Sequence, residues 1–368
     1  MKRLHTIFFL ALATIVSLSV ACTSTSDEPT KGFITVEDGK FIRNGEPYYF
    51  VGTNFWYGAI LGSEGEGGNR ERLAKELDFM KANGIDNLRI LVGGEGENGL
   101  LGKIEPNLQP EPGVYNDEVL AGLDYLMMEL GKRDMTAVLY FNNAWEWSGG
   151  YTQYVAWANE EPVLVPRVDG WFSYNAFAGE FVRNERAKQI FYDHLRYIIT
   201  RTNRYTGIKY IDDPAIFSWQ ICNEPRAFSS KEVDNKEAFA EWLATSAKLI
   251  RELDPNHMIS TGSEGFYGCE WDMELCEKIH AIDEISYINC HVWPYNWKWM
   301  RGDHMREDLE KSCQNTEEYI NMHLELGEKI GKPVVVEGRA RVRASKEELR
   351  PRPRPIRPPW ALRRAPLL

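Results

Sequence analysis

The sequence predicts a parallel α/β barrel of the (β/α)8 type in which the eighth βα unit is missing. Short apolar strands alternate with amphipathic helices seven times, which is the pattern of βα units wound around one sheet. No glycine-rich phosphate loop follows the first strand, which sets aside a doubly wound nucleotide-binding sheet. Polar residues recur directly after the strands, at the end of a barrel where reactive groups belong. With 368 residues, 43% hydrophobic and 26% charged, the chain can bury one large core, so a single catalytic domain is expected.

Lys2 and Arg3 precede an apolar run from Ile7 to Val20, so residues 1–21 read as an export signal, too short to span a bilayer as an ordinary helix. Leu18-Ser19-Val20-Ala21-Cys22 resembles a bacterial lipoprotein cleavage box, with Ser19 where an aliphatic residue is usual. It implies a bacterial source, lipidation at Cys22 and a polar linker over residues 22–31; plain secretion is the alternative.

Residues 33–50 alternate apolar and polar around the turn pair Asp38-Gly39 and read as a hairpin leading into the first buried strand, residues 48–54. A helix over 70–83 puts Leu73, Leu77 and Met80 on one face and stops at Gly84. Strands at 88–92, 136–141 and 215–221 alternate with helices at 117–132 and about 184–204. A helix over 237–253 aligns Phe239, Leu243 and Ile250; strands at 258–261 and 285–289 follow, then a helix over 316–330 ending at Gly331 and a seventh strand at 334–336. The barrel spans residues 32–338.

The formal charge of −11 argues against nucleic acid, whose phosphates require a basic surface, while 12 Trp and 17 Tyr suit stacking on neutral sugar rings. Beyond Cys22 there are five cysteines, an odd number that permits at most two disulfides; Cys269 with Cys276 is the nearest local pair. No Cys/His spacing resembles a zinc site, so no structural or catalytic metal is expected. Contact with a membrane is expected only through the lipid anchor, and the chain is expected to act as a monomer.

The strand ends hold a consistent set of groups. Trp56 and Tyr57 follow the first strand, Arg89 lies in the second, and Asn143, Trp145 and Trp147 follow the third. Asn223 and Glu224 follow the fourth, Glu264 the fifth, His291 and Trp293 the sixth, and Glu337 ends the seventh. Cleaving a glycosidic bond with retention takes two carboxyl groups roughly 5 Å apart, one protonated and one ionised. Glu224 is expected to be the acid/base, keeping its proton through burial beside a negative partner, with Glu337 as the facing carboxylate. Asn223 is expected to bind the sugar 2-hydroxyl, Arg89 to keep the nucleophile ionised, and His291 to orient the pair.

These residues resemble glycoside hydrolase family 5, and within it the β-mannanases. Asn223-Glu224-Pro225 is similar to that family's acid/base signature, and "NFWYG", "NNAWEWSGGYTQY", "STGSEGFYG" and "HVWPYNW" are similar to mannanase loops in the same order, over residues 32–337. The resemblance implies endo-1,4-β-mannosidase activity without a cofactor on a β-mannan-type polysaccharide. It further implies that Trp56, Trp145 and Trp293 are sugar platforms, Trp293 standing where a Tyr is more usual, with Tyr57, Asn143, Trp147 and Glu264 also at the substrate.

The resemblance breaks at the seventh strand. Mannanases end it with Glu-Glu-aromatic-Gly, whereas this chain reads "VVVEGRARVR", so Glu337 matches the first Glu and Gly338 stands at the nucleophile position. Residues 339–368 hold nine Arg and six Pro, cannot supply an eighth strand and helix, and read as a disordered tail from a disrupted reading frame or assembly error, a natural basic tail being the alternative. Successive side chains on a strand point to opposite faces. Glu337 is therefore expected to replace the missing nucleophile only if the strand slips by one residue and turns its core side chains outward.

Overall fold

A computed structural model describes residues 32–100 and 102–339. The expected signal, Cys22 with its linker, and the Arg/Pro-rich stretch from 340 onward lie outside the described residues. Strands β1 (Ile34–Glu37), β2 (Lys40–Arg43) and β3 (Glu46–Pro47) form an antiparallel sheet. Asp38 and Gly39, both at positive φ, make its first turn. Then follow β4 (Gly52–Asn54), α1 (Gly58–Gly62), α2 (Arg70–Ala82), β5 (Asn87–Leu91), α3 (Asp117–Lys132), β6 (Thr136–Tyr140), α4 (Gly150–Asn159) and α5 (Pro166–Ala178). The chain continues through α6 (Glu185–Ile199), β7 (Ile216–Gln220), α7 (Lys236–Leu253), β8 (Met258–Ser260), α8 (Met273–His280), β9 (Ile288–Val292), α9 (Met305–Ile330) and β10 (Val334–Arg339).

Strands β4 to β8 pair in parallel in chain order, and β9 pairs in parallel with β10. This is the expected barrel, carried through seven units. Local chemistry starts its helices: the side chains of Asn69, Asn116, Asn184 and Asp272 accept the first free amides of α2, α3, α6 and α8. The N-terminal hairpin plugs one end, where Ile34, Val36 and Phe41 pack on Val138, Phe217, Met258 and Tyr287.

Several boundaries differ from expectation. The first barrel strand is shorter and not buried: Tyr49 and Val51 are 81% and 61% exposed, because among the described residues no element lies between β10 and β4 to cover them. Strand β9 begins three residues late, since Ile285 closes a turn onto Ile282. Helix α9 begins eleven residues early, because its first turns are solvated and carry no apolar period. Helices α1 and α8, and the excursion α4 and α5 after β6, were not foreseen. β10 runs through Gly338 to Arg339, one residue into the supposed tail. Cys269 and Cys276 are free thiols rather than a disulfide, their sulfurs lying against Ser263 Oγ and His280 Nδ1 respectively.

Candidate active site

The apolar run of β7 ends on Asn223 and Glu224 because the chain there leaves strand geometry to aim two adjacent polar side chains at one place. Gln220 is the last inward residue of the strand. Asn223 then bridges Asn143 in parallel, and Glu224 donates its amide to Gly262 O at 2.9 Å. Glu224 has φ +51, uncommon for a residue with a side chain and characteristic of functional positions. Gly262 is required opposite: at φ +77, a Cβ on it would stand 1.8 Å from Cys222 O.

Three donors cage the Glu224 carboxylate. Trp145 Nε1 donates to Oε2 at 2.6 Å, Trp293 Nε1 to Oε1 at 2.7 Å, and His291 Nδ1 lies 2.8 Å from Oε1. The other face of the His291 ring meets Glu337, with Nε2 3.6 Å from Oε2. Burial alone would raise the Glu224 pKa, but His291 and the two indoles outweigh it and hold the carboxyl at about 2. This corrects the expected retained proton: burial loses to three aimed donors. Burial likewise opposes the imidazolium, yet both carboxylates raise the pKa of His291. The proton of the pair therefore rests on His291, one hydrogen bond from Glu224.

The signs set a stability window. The depressed Glu224 contributes stability that is present above its ordinary 4.5 and lost as pH falls toward about 2. The raised His291 contributes stability that is present below its ordinary 6.5 and lost as pH rises through its higher folded value. The Tm difference between the parent chain and His291→Gln is expected to be widest between pH 4.5 and 6.5 and to narrow on both sides. A difference that is flat with pH would show that the ring contributes only packing.

Glu337 needs no strand slip to face inward. Val335 and Glu337 share the inner face, while Val334 and Val336 pack outward toward the helices. A register shift between Val336 and Arg339 then brings Gly338 to the cavity as well. Arg89 Nε lies 3.1 Å from Glu337 Oε2, Asn289 Nδ2 donates to Oε1 at 2.8 Å, and Gln220 Nε2 reaches both oxygens at 3.0 and 2.8 Å. Burial opposes its charge, but His291 and Arg89 outweigh burial and lower its pKa. The side chain is 5% exposed and lies beneath the cleft, whereas Gly338 lines the cleft. Arg89 thus keeps a carboxylate ionised as expected, but that carboxylate lines a separate cavity between β4 and β10 and not the tryptophan cleft.

The cleft has a volume of about 910 Å³, toward the upper end of ordinary ligand sites, which span roughly 300–1,000 Å³. Trp56, Trp145, Trp147, Trp293, Asn223 and Glu264 line it, as expected. Arg89 Nη1 and Asn143 hold the Asn223 amide at 2.9 and 3.0 Å. Two assignments change. Tyr57 turns away from the cleft toward Glu76 of α2, 3.3 Å from its hydroxyl, because it sits at the start of α1. Asn143 is fully buried behind the cleft, bonded to Asn223, Ser148 and the Trp145 amide, so it positions other residues instead of touching sugar.

Glu264 pairs with Arg226, whose Nε donates at 2.7 Å; burial and the nearby Glu224 charge push this carboxyl up to about 7. Arg226 also lies over the Trp145 ring, 5.1 Å from its centroid. Gln220, Asn289 and Arg226 were not foreseen. The first two were legible as polar residues within otherwise largely apolar strands. Among the described residues no group of three His, Cys, Asp or Glu side chains could hold a metal ion.

Trp145 is both platform and donor, and the two roles separate by substitution. Trp145→Phe keeps a ring but removes the N–H to Glu224, so it is expected to retain most oligosaccharide affinity and raise the Glu224 pKa. Trp145→Ala is expected to lose about tenfold in affinity as well. Calorimetric titration with mannohexaose checks this; unchanged affinity in a folded Ala variant would assign Trp145 to the core.

A parallel barrel whose C-terminal mouth holds caged carboxylates under an aromatic cleft defines the scaffold of a glycoside hydrolase. The chain belongs to glycoside hydrolase family 5: residues 31–347 match the family described as GH family 5 beta-mannosidase-like. It is 29% identical to a putative mannan endo-1,4-beta-mannosidase 9 of Oryza sativa subsp. japonica, over 83% of this chain and 74% of that protein. The crystal structure of a mutant family 5 mannosidase from Rhizomucor miehei in complex with mannosyl-fructose superposes with TM-score 0.76 at 31% identity, covering 83% of this chain and 72% of that one. An endo-1,4-beta-mannanase from Rhizomucor miehei, at 23% identity and TM-score 0.63 over 82% and 80% of the two chains, shares the fold. The bacterial source expected from the lipoprotein-like box is not borne out by these relatives, which are plant and fungal.

Proposed function

We propose that the chain is a retaining endo-β-1,4-mannan hydrolase in which the His291–Glu224 pair is the acid/base and Gly338 occupies the nucleophile's seat. One observation carries this reading: Glu224 stands in a three-donor cage on the floor of an open, tryptophan-lined cleft, one imidazole away from a second carboxylate. Proton delivery runs from His291 through Glu224 to the leaving oxygen. Asn223, held by Arg89 and Asn143, has a remaining donor and acceptor for the sugar 2-hydroxyl. The names of the rice and Rhizomucor relatives favour mannan.

Because Glu337 does not line the tryptophan cleft, the present chain is expected to bind the polysaccharide and turn it over slowly or not at all. The signal-like run before Cys22 favours export, as a monomer on the cell surface or in the extracellular space. Parallel assays of binding and of reducing-end release on mannan, glucomannan and cellulose test the reading. Preference for cellulose would reassign the chain as a glucanase, and binding without release would make it a glycan-binding protein as it stands.

A further inference from the structure

The two oxygens of Glu224 face different neighbours. Oε1 takes Trp293 and His291, on the Gly338 side, while Oε2 takes only Trp145. Beyond Trp145 the cleft continues into a groove of about 460 Å³ that shares Trp145, Trp171, Arg226 and Trp271 with it and contains none of Arg89, His291 or Gly338. An acid protonates the oxygen of the departing sugar, so the Oε2 side is the leaving-group side.

Two indoles stand over this groove. Trp171 of α5 is 56% exposed and packs edge-on against Trp145 at 6.1 Å, and Trp271, in the loop after β8, is 61% exposed. The backbone holding Trp271 is strained: Glu270 and Trp271 have φ +55 and +59, a conformation that is an outlier for a bulky residue. Ser229 fixes the strained pair by donating its amide to Glu270 Oε1 at 2.7 Å, which ties the loop after β7 to the loop after β8. Consecutive strained residues that present an indole to solvent, and not to a core, mark a position kept for contact.

We infer that Trp171 and Trp271 form a distal saccharide subsite that stacks on a sugar of the leaving-group half of a bound chain. The inference rests on the sugar-cleft reading above and adds a length requirement: only oligosaccharides that extend past Trp145 reach these indoles.

The test is calorimetric titration of the full chain and its Trp171→Ala and Trp271→Asn variants with mannobiose, mannohexaose, cellobiose and cellohexaose, with Tm measured for each protein. Asn tolerates the left-handed conformation, so a contact role for Trp271 predicts an unchanged or higher Tm. Each variant is expected to bind mannohexaose about tenfold more weakly, the loss of one stacked ring, with mannobiose affinity unchanged. Unchanged hexaose affinity, an equal loss for mannobiose, or a Tm several degrees lower for Trp271→Asn would overturn the subsite. The same length-dependent loss on cellohexaose in place of mannohexaose would leave the subsite standing and overturn the mannan assignment. Failure of the parent chain to bind any of the four sugars would overturn both.

Discussion

Restoring an eighth βα unit after Glu337, with Glu at the position now held by Gly338, is expected to raise mannan hydrolysis by several orders of magnitude over the present chain. The nucleophile must stand in the cleft, and the carboxylate now nearest is spent on Arg89, Gln220 and Asn289 beneath the floor. The same change is expected to improve solubility, because a completed barrel would cover Val51, Tyr49 and the free edges of β4 and β10. Gly338→Glu alone is expected to recover less. Its Cβ would stand 2.6 Å from Trp293 Cζ2 and 3.0 Å from His291 Cγ, so the indole must yield. Pairing it with Trp293→Tyr, which makes that room, is expected to exceed the single change. Soluble-mannan assays on the four proteins decide it: equal rates in the present and restored chains would make Glu337 a competent nucleophile.

Glu224→Gln in the restored chain is expected to abolish hydrolysis while oligosaccharide binding survives. The amide keeps the shape of the carboxyl but cannot relay the His291 proton to a leaving oxygen. Its NH2 group also faces an indole N–H that now donates to an oxygen, so Tm is expected to fall modestly. An activated aryl mannoside, whose leaving group needs no proton, separates the steps: the variant should form the glycosyl-enzyme from it and then stall. Near-normal turnover of mannan by a folded variant would remove Glu224 from the mechanism.

The order of the strands, five of the amphipathic helices and the carriers of the site were legible in the sequence. Each follows from local causes: apolar period, capping side chains, and polar residues directly after strands. Leu73, Leu77 and Met80 lie buried on one face of α2, and Glu224, His291 and Trp293 meet as their positions after β7 and within and beyond β9 require. What the sequence left undecided depends on neighbours far along the chain. Protonation of Glu224 turned on donors 67 to 79 residues away, which defeat the effect of burial. The placement of Gly338 at the cleft turned on a bulge that only pairing with β9 reveals. Tyr57 and Asn143 left the substrate list because a side chain just after a strand can aim at the cleft, at a helix or at another positioning residue, and only the packed barrel chooses among them.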